Sequence, residues 1–182
     1  VDENCLEADL NPQSPYAKIK LNEEKIIAKK MTNNFYVIVR FGTVFGYAQG
    51  IRFHTAVNKF CFQASIGLPL TVWKTAINQY RPYLSLKDLN LSIESIIKEK
   101  NYDNEIYNVL SFNLTVSDIL KVIKKTYSKI NINYVNHPIM NQMSYKVSNA
   151  KFLNKFKKIK YDENPSEGID QILKKLNSFK IN

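Results

Sequence analysis

Apolar runs with strand spacing alternate along this chain with segments of helical periodicity. Residues 35–40, Phe-Tyr-Val-Ile-Val-Arg, form a nearly continuous apolar run, which is typical of a strand covered on both faces of a parallel sheet. Further strands are predicted at 70–73, 81–86, 106–110 and 130–135, and helices at 15–31, 53–66, 88–97, 116–126, 149–156 and 166–176. Strands that alternate with helices indicate the α/β class.

Polar residues, glycine and proline mark where these elements begin and end. Ser14 followed by Pro15 suits the cap and first turn of the helix at 15–31. Asp88 is expected to cap the helix at 88–97, and Thr115 the helix at 116–126. Asn33 and Asn34 should end the first helix, and Gly42 and Gly46 should bracket a loop after the strand.

Composition supports a folded domain without metal. The 182 residues are 45% hydrophobic and 12% aromatic, enough for a packed core. Two cysteines, Cys5 and Cys61, and two histidines, His54 and His137, have no spacing typical of a disulfide framework or a zinc site. No apolar run reaches the roughly 20 residues that span a bilayer. We therefore expect no metal, no membrane partner and a cytoplasmic location.

Charge alone does not indicate a nucleic-acid partner. The net charge is +10, but 23 lysines outnumber three arginines and are spread along the chain instead of forming one basic stripe. A solvated surface explains this pattern better than a nucleic-acid interface does. A basic nucleic-acid-binding protein stays as the least favoured alternative.

Tyr16 and Lys20 are the first candidate for chemistry. They lie four residues apart on the predicted helix, so their side chains share one face. A lysine ammonium beside a phenol stabilises the phenolate, and the pair then suits general acid/base work between a hydroxyl and a carbonyl. Tyr83 and Lys87 have the same spacing but fall in a strand-like segment, where residues four apart do not meet as on a helix. We interpret the spacing of that second pair as having no catalytic significance.

Six sequence blocks occur in a fixed order along the chain and include this pair. They are Pro-Gln-Ser-Pro-Tyr-Ala-Lys-Ile-Lys at 12–20, Arg-Phe-Gly-Thr-Val-Phe-Gly at 40–46, Arg-Phe-His-Thr-Ala-Val-Asn at 52–58, Gly-Leu-Pro-Leu-Thr-Val-Trp at 67–73, Arg-Pro-Tyr-Leu at 81–84 with Asp88, and Tyr-Asn-Val at 107–109 with Thr115 and Val116. In these blocks the chain resembles the C-terminal part of the NAD-dependent epimerase/dehydratase family, the extended short-chain dehydrogenases/reductases that modify nucleotide sugars.

The resemblance implies an architecture and an activity. Residues 1–46 would be the last part of an NAD-binding Rossmann-type parallel sheet, and residues 47–182 a small α/β substrate-binding region, with about 105–126 returning to the sheet. The implied activity is that of a nucleotide-sugar epimerase or dehydratase that uses a tyrosine base and transient hydride transfer to NAD. A non-catalytic remnant that binds a nucleotide sugar is the alternative, and a homodimer is compatible with either.

The resemblance also implies roles for individual residues. Tyr16 and Lys20 would be catalytic and would contact the cofactor together with Phe41. Arg81 would bind the substrate diphosphate, because a guanidinium fork holds phosphate in a bidentate way, while Arg40 ends a core strand and is expected to be structural. The other implied substrate contacts are Thr43, where the family usually has asparagine, and Arg52 as a helper of Arg81. Asn58 could bind the substrate or equally bridge the chain locally. Trp73 could belong to the pocket of the nucleotide base, although a core aromatic is the favoured interpretation.

The family's glycine-rich cofactor loop does not occur in this sequence. The first residue is Val1, not methionine. We therefore expect NAD to be bound mainly by a segment that precedes Val1, and the catalytic serine or threonine of the family to lie there too.

Overall fold

Helices and strands alternate in the computed structural model of the chain, which describes residues 1–5, 12, 14–32, 35–100, 102–136 and 144–179. The helices are α1 (Pro15–Lys30), α2 (Ala56–Ser65), α3 (Leu86–Glu99), α4 (Val116–Thr126), α5 (Ala150–Lys155) and α6 (Ser166–Asn177). The strands are β1 (Val37–Phe41), β2 (Thr43–Phe45), β3 (Leu70–Trp73), β4 (Arg81–Ser85), β5 (Glu105–Val109), β6 (Phe112–Leu114) and β7 (Ile132–Val135). The α/β class expected from the sequence is confirmed.

Three small sheets organise these strands. Strands β1 and β5 pair in parallel, with Val37 opposite Glu105 and Phe41 opposite Val109. Strand β4 is central in the second sheet, with β2 parallel on one side and β6 antiparallel on the other. Strands β3 and β7 form a third, parallel pair. Most pairs are thus parallel, as in sheets whose strands are joined by helical crossovers.

Two hydrophobic clusters form the core. The larger packs α2, α4 and α6 with β3 and includes residues with no exposed surface, such as Val57, Leu70, Ile119 and Ile172. The smaller packs α5 against the β1–β5 pair, where Phe152 and Phe156 lie edge-on to the ring of Tyr107 at 5.8 and 5.9 Å between centroids. Helix α1 contributes no buried residue to either cluster.

Gly42 connects the first two sheets. Its backbone N–H donates to the carbonyl of Val109 at 2.9 Å, next to the end of the β1–β5 pair. A Cβ at this position would lie 3.1–3.2 Å from backbone atoms of Pro82 and Tyr83. Glycine therefore lets the chain pass from β1 to β2 while β4 lies close by.

The structure differs from several local predictions. The helix expected from residue 53 begins at Ala56, because Thr55 has the extended backbone of an N-cap residue. The expected loop between Gly42 and Gly46 is strand β2, and β6 was not predicted at all. Asp88 does not cap α3: Ser85 does, since its hydroxyl accepts the Asp88 N–H at 3.1 Å. Asn33, Asn34 and His137 lie outside the described residues.

The carboxylate of Asp88 is buried and has a different role. One oxygen accepts the hydroxyl of Ser111, and the other accepts the backbone N–H of Asp162 at 3.2 Å. Asp162 in turn pairs with Lys87. This network fastens the segment before α6 to the junction of β4 and α3. Throughout the described ranges, no helix is long and apolar enough to cross a membrane, and no group of three histidine, cysteine or acidic residues could hold a metal ion.

Candidate functional site

Tyr16 and Lys20 lie in the first turns of α1, which is held at its start by Ser14. The Ser14 hydroxyl accepts the Ala17 N–H at 3.1 Å, and Pro15 occupies the first helical position. Tyr16 is 70% exposed, and the helix has no buried residue. The predicted geometry of the pair is present, because both side chains project from one face of the helix.

Lys20 has a carboxylate partner that the four-residue spacing did not reveal. Its Nζ donates to Glu23 at 2.7 Å, and this hydrogen bond is the main reason why the pKa of Lys20 is raised. The same Nζ lies 5.9 Å from the centroid of the Tyr16 ring. The signal for Glu23 was available in the sequence, since residues three apart also meet on a helix.

An ion pair between Arg40 and Glu24 joins α1 to the β1–β5 sheet. The guanidinium donates from Nε at 2.8 Å and from Nη2 at 2.6 Å to the two carboxylate oxygens, and both side chains are partly buried. The pKa of Arg40 is raised, chiefly by this hydrogen bonding. Arg40 thus makes a structural contact, as its place at the end of a core strand predicts.

A cleft of about 740 Å³ lies between α1 and the face of the β1–β5 sheet. Tyr16 and Lys20 line it from the helix, Phe41 from the end of β1, and Tyr145 from the segment that precedes α5. Phe41 is 44% exposed, so its ring is available to a ligand. The cleft therefore brings together the three residues for which the resemblance implies cofactor contacts.

Asn108 also lines this cleft, although it was not among the predicted site residues. It lies opposite Arg40 in the parallel register, so the two side chains share the sheet face that looks toward α1. Its backbone N–H donates to Glu3 at 2.7 Å. Its side-chain Nδ2 is buried without a hydrogen-bond partner among the described residues.

A second pocket of about 220 Å³ contains Trp73 and Arg81. Trp73 ends β3 and Arg81 begins β4, so two separate sequence blocks converge here. The guanidinium carbon of Arg81 lies 4.9 Å above the ring centroid of Tyr145, within the range of a cation–π contact. Because Tyr145 also lines the cleft, this one aromatic side chain connects the two pockets.

Arg52 and Asn58 line a third pocket of about 280 Å³. Asn58 is only 5% exposed; its Nδ2 donates to the Arg52 carbonyl at 3.1 Å, and its Oδ1 accepts the Gly46 N–H at 3.2 Å. Of the two roles left open by the sequence, the structure shows the local bridge. Thr43 is exposed on β2 and lines none of these three pockets.

Tyr83 and Lys87, the second pair with four-residue spacing, are not assembled as a pair. Tyr83 is buried on β4, and burial raises its pKa. Lys87 lies in the first turn of α3 and forms its ion pair with Asp162. The two side chains have different neighbours, so Tyr83 and Lys87 do not form a functional pair.

Comparison with known proteins identifies one family. The sequence profile of the NAD dependent epimerase/dehydratase family matches residues 1–109. The chloroplastic UDP-sulfoquinovose synthase of Spinacia oleracea is 29% identical over 127 residues, which are 69% of this chain and 23% of that protein.

Solved structures share the fold over almost the whole chain. An ADP-L-glycero-D-manno-heptose-6-epimerase from Helicobacter pylori superposes with a TM-score of 0.77 at 15% identity, covering 97% of this chain and 55% of that one. The UDP-glucuronic acid 4-epimerase of Bacillus cereus, solved with UDP-glucuronic acid and NAD, has a TM-score of 0.78 at 21% identity, covering 96% and 56%. RMD from Pseudomonas aeruginosa, solved with NADPH, gives 0.76 at 18%, covering 96% and 62%. The chain thus spans somewhat more than half the length of these structures.

Proposed function

Because the chain belongs to the NAD-dependent epimerase/dehydratase family, we propose that it carries the Tyr-Lys pair and the sugar-nucleotide pocket of a nucleotide-sugar epimerase or dehydratase. One observation carries this proposal above the others. Tyr16 and Lys20 line a cleft that runs along the parallel β1–β5 pair as far as Phe41 at the end of β1, and Tyr145 joins that cleft to the pocket of Arg81. Ligands of open α/β sheets bind outside the carboxyl ends of the strands, which is where Phe41 lies.

The cleft fits the ribose and nicotinamide end of NAD. Lys20 offers an exposed ammonium to ribose hydroxyls, Tyr16 a hydroxyl, and Phe41 a partly exposed ring. When bound, the cofactor supplies reversible hydride transfer. To bind the ribose, Lys20 would give up its ion pair with Glu23. This change costs little free energy because that ion pair is exposed to solvent.

Tyr16 acts on the substrate proton in this proposal. Its phenolate oxygen accepts the proton of a sugar hydroxyl and later returns it, and the ammonium of Lys20 stabilises the negative charge on the phenolate. Arg40 and Glu24 take no part in the proton transfer. They fix α1 against β1 and so keep Tyr16 beside the sheet.

Arg81 positions the other end of the substrate. Its guanidinium is suited to a diphosphate, and Trp73, in the same pocket, offers a ring for the nucleotide base. A nucleotide sugar whose diphosphate lies at Arg81 has its sugar directed past Tyr145 toward Tyr16. Arg52, in the neighbouring pocket, is proposed as a further phosphate contact.

Replacing one oxygen tests this function. In the polypeptide that contains this chain, Tyr16→Phe should lower kcat by about 10²- to 10⁴-fold while leaving Tm unchanged, since the hydroxyl belongs to an exposed side chain. Tyr134→Phe is the matched control: Tyr134 is 45% exposed on β7 and lines none of the three pockets. Turnover by Tyr16→Phe equal to that of the control would remove Tyr16 from its catalytic role.

A non-catalytic nucleotide-sugar-binding protein is the second candidate. The pocket of Trp73 and Arg81 is formed by described residues of this chain alone, so binding requires no catalytic pair. This alternative predicts that UDP-glucuronic acid binds and is not converted, with identical behaviour of the protein and its Tyr16→Phe variant.

A further inference from the structure

Asn108 is a buried polar residue on the cleft side of β5. It is 4% exposed, whereas its neighbours along the strand, Tyr107 and Val109, point to the opposite face and belong to the smaller core cluster. A buried amide is normally hydrogen-bonded, because leaving it without a partner costs its full desolvation. Nδ2 of Asn108 nevertheless has no partner among the described residues.

The direction of this side chain places the free donor on the cleft side of the sheet. Asn108 and Arg40 are register partners, and Arg40 reaches across that face to Glu24 of α1. The residue is also near the end of the cleft that leads to Arg81. Gly42 donates to Val109 and, on its other side, approaches Pro82, the residue after Arg81.

We propose that Asn108 is a substrate-binding residue of the cleft, whose side-chain amide donates a hydrogen bond to a sugar oxygen of the bound nucleotide sugar. The inference rests on the proposed function and adds a residue to it. Tyr16 and Lys20 approach the ligand from α1, and Asn108 approaches it from the opposing sheet. A sugar held between them has its reacting hydroxyl oriented from two sides.

A buried amide donor without a partner in the free protein lowers its stability, and this effect can be measured. In the free protein, Asn108→Leu removes an unsatisfied amide and keeps a similar volume, so we expect Tm to rise by about 2–4 °C. The affinity for UDP-glucuronic acid, measured by calorimetry, should fall about tenfold. Asn108→Asp, which replaces the donor by an acceptor, should weaken binding at least as much.

Asn113 provides the control for a satisfied amide. Its Nδ2 donates to the Val147 carbonyl and its Oδ1 accepts the Val147 N–H, both at 2.9 Å. Asn113→Leu should therefore lower Tm. If Asn108→Leu lowers Tm as Asn113→Leu does, its amide has a partner within the protein and the inference is wrong.

The binding data separate this inference from the function on which it rests. Unchanged affinity of both Asn108 variants, with tight binding by the unaltered protein, would overturn the role of Asn108 and leave the proposed function standing. No binding by the unaltered protein would overturn both.

Discussion

Helix α1 and the cluster of α2, α4 and α6 are packed in opposite ways. No residue of α1 is buried, and its apolar residues Ile19 and Ile26 are 58% and 44% exposed. In the cluster, Ile119, Ile123 and Ile169 have no exposed surface. The Tyr-Lys pair therefore lies on the helix with the fewest buried residues, whereas the pocket of Trp73 and Arg81 lies beside the cluster of α2, α4 and α6.

This difference shows which contacts hold the side chains of each part of the site in position. Trp73 and Arg81 are positioned by strands that are paired on the core. Tyr16 and Lys20 are positioned by the Ser14 cap and by the ion pair of Arg40 with Glu24. Local opening should thus affect α1 well before it affects the pocket of Arg81.

Truncating one isoleucine in each region should give the largest contrast. Ile119→Ala leaves a cavity in the core and should reduce the free energy of unfolding by about 2–5 kcal/mol. Ile19→Ala on α1 should change it by less than about 0.5 kcal/mol. Urea unfolding measures both, and similar losses would show that α1 is packed as well as the cluster.

Removing the ion pair should release α1 without unfolding the chain. Glu24→Gln leaves the partly buried Arg40 guanidinium without its carboxylate, which should cost about 1–3 kcal/mol of local stability. Amide hydrogen exchange in α1 should accelerate about tenfold or more, while α4 stays protected. Glu94→Gln is the control, because its pair with Lys98 is exposed. Equal protection of α1 in both variants would argue against this anchor.

The two N-caps should respond differently to the same substitution. Thr115 caps α4 through a full capping box with Asp118, so Thr115→Ala should lower the free energy of unfolding by about 1 kcal/mol. Ser14→Ala should leave it within about 0.5 kcal/mol and increase only the exchange of the first α1 amides. A global loss from Ser14→Ala would mean that the two regions unfold together.

Acid should weaken the same capping box by a smaller amount. The Thr115 hydroxyl donates to Asp118 and holds the pKa of that carboxyl below its usual value. A lowered pKa stabilises the fold above the unfolded value of about 3.9, and this contribution is lost as pH falls through the lower folded value. The stability difference between the protein and Asp118→Asn, measured by urea unfolding, should therefore shrink below about pH 4.

Elements of this fold are predictable from the sequence where local signals and tertiary structure agree. The helix at 116–126 was predicted with its bounds because Thr115 and the apolar spacing point to the same element. Strand β2 was missed because three residues between glycines carry too little periodicity, and only pairing with β4 defines it. The capping role predicted for Asp88 was wrong because Ser111 and Asp162, 23 and 74 residues away, use its carboxylate.

At the site, the Tyr16–Lys20 pair is visible in the sequence, whereas the environment of Asn108 is not. The spacing of Tyr16 and Lys20 depends only on the helix, so it was visible in the sequence. The missing partner of Asn108 depends on which strand and helix face it, and no pattern in the sequence contains that information. Their roles in substrate and cofactor binding stay predictions of the family resemblance.

The central claim is that the pocket of Trp73 and Arg81 holds a nucleotide sugar through Arg81. Measuring the binding of UDP-glucuronic acid to this chain tests that claim most directly. Calorimetry should show binding that Arg81→Gln weakens at least tenfold, because the bidentate phosphate contact is lost. Lys74→Gln, which removes the same charge close to Trp73 but outside the lining of that pocket, should bind like the unaltered chain. Equal affinity of Arg81→Gln and Lys74→Gln, or no binding by the unaltered chain, would contradict the claim.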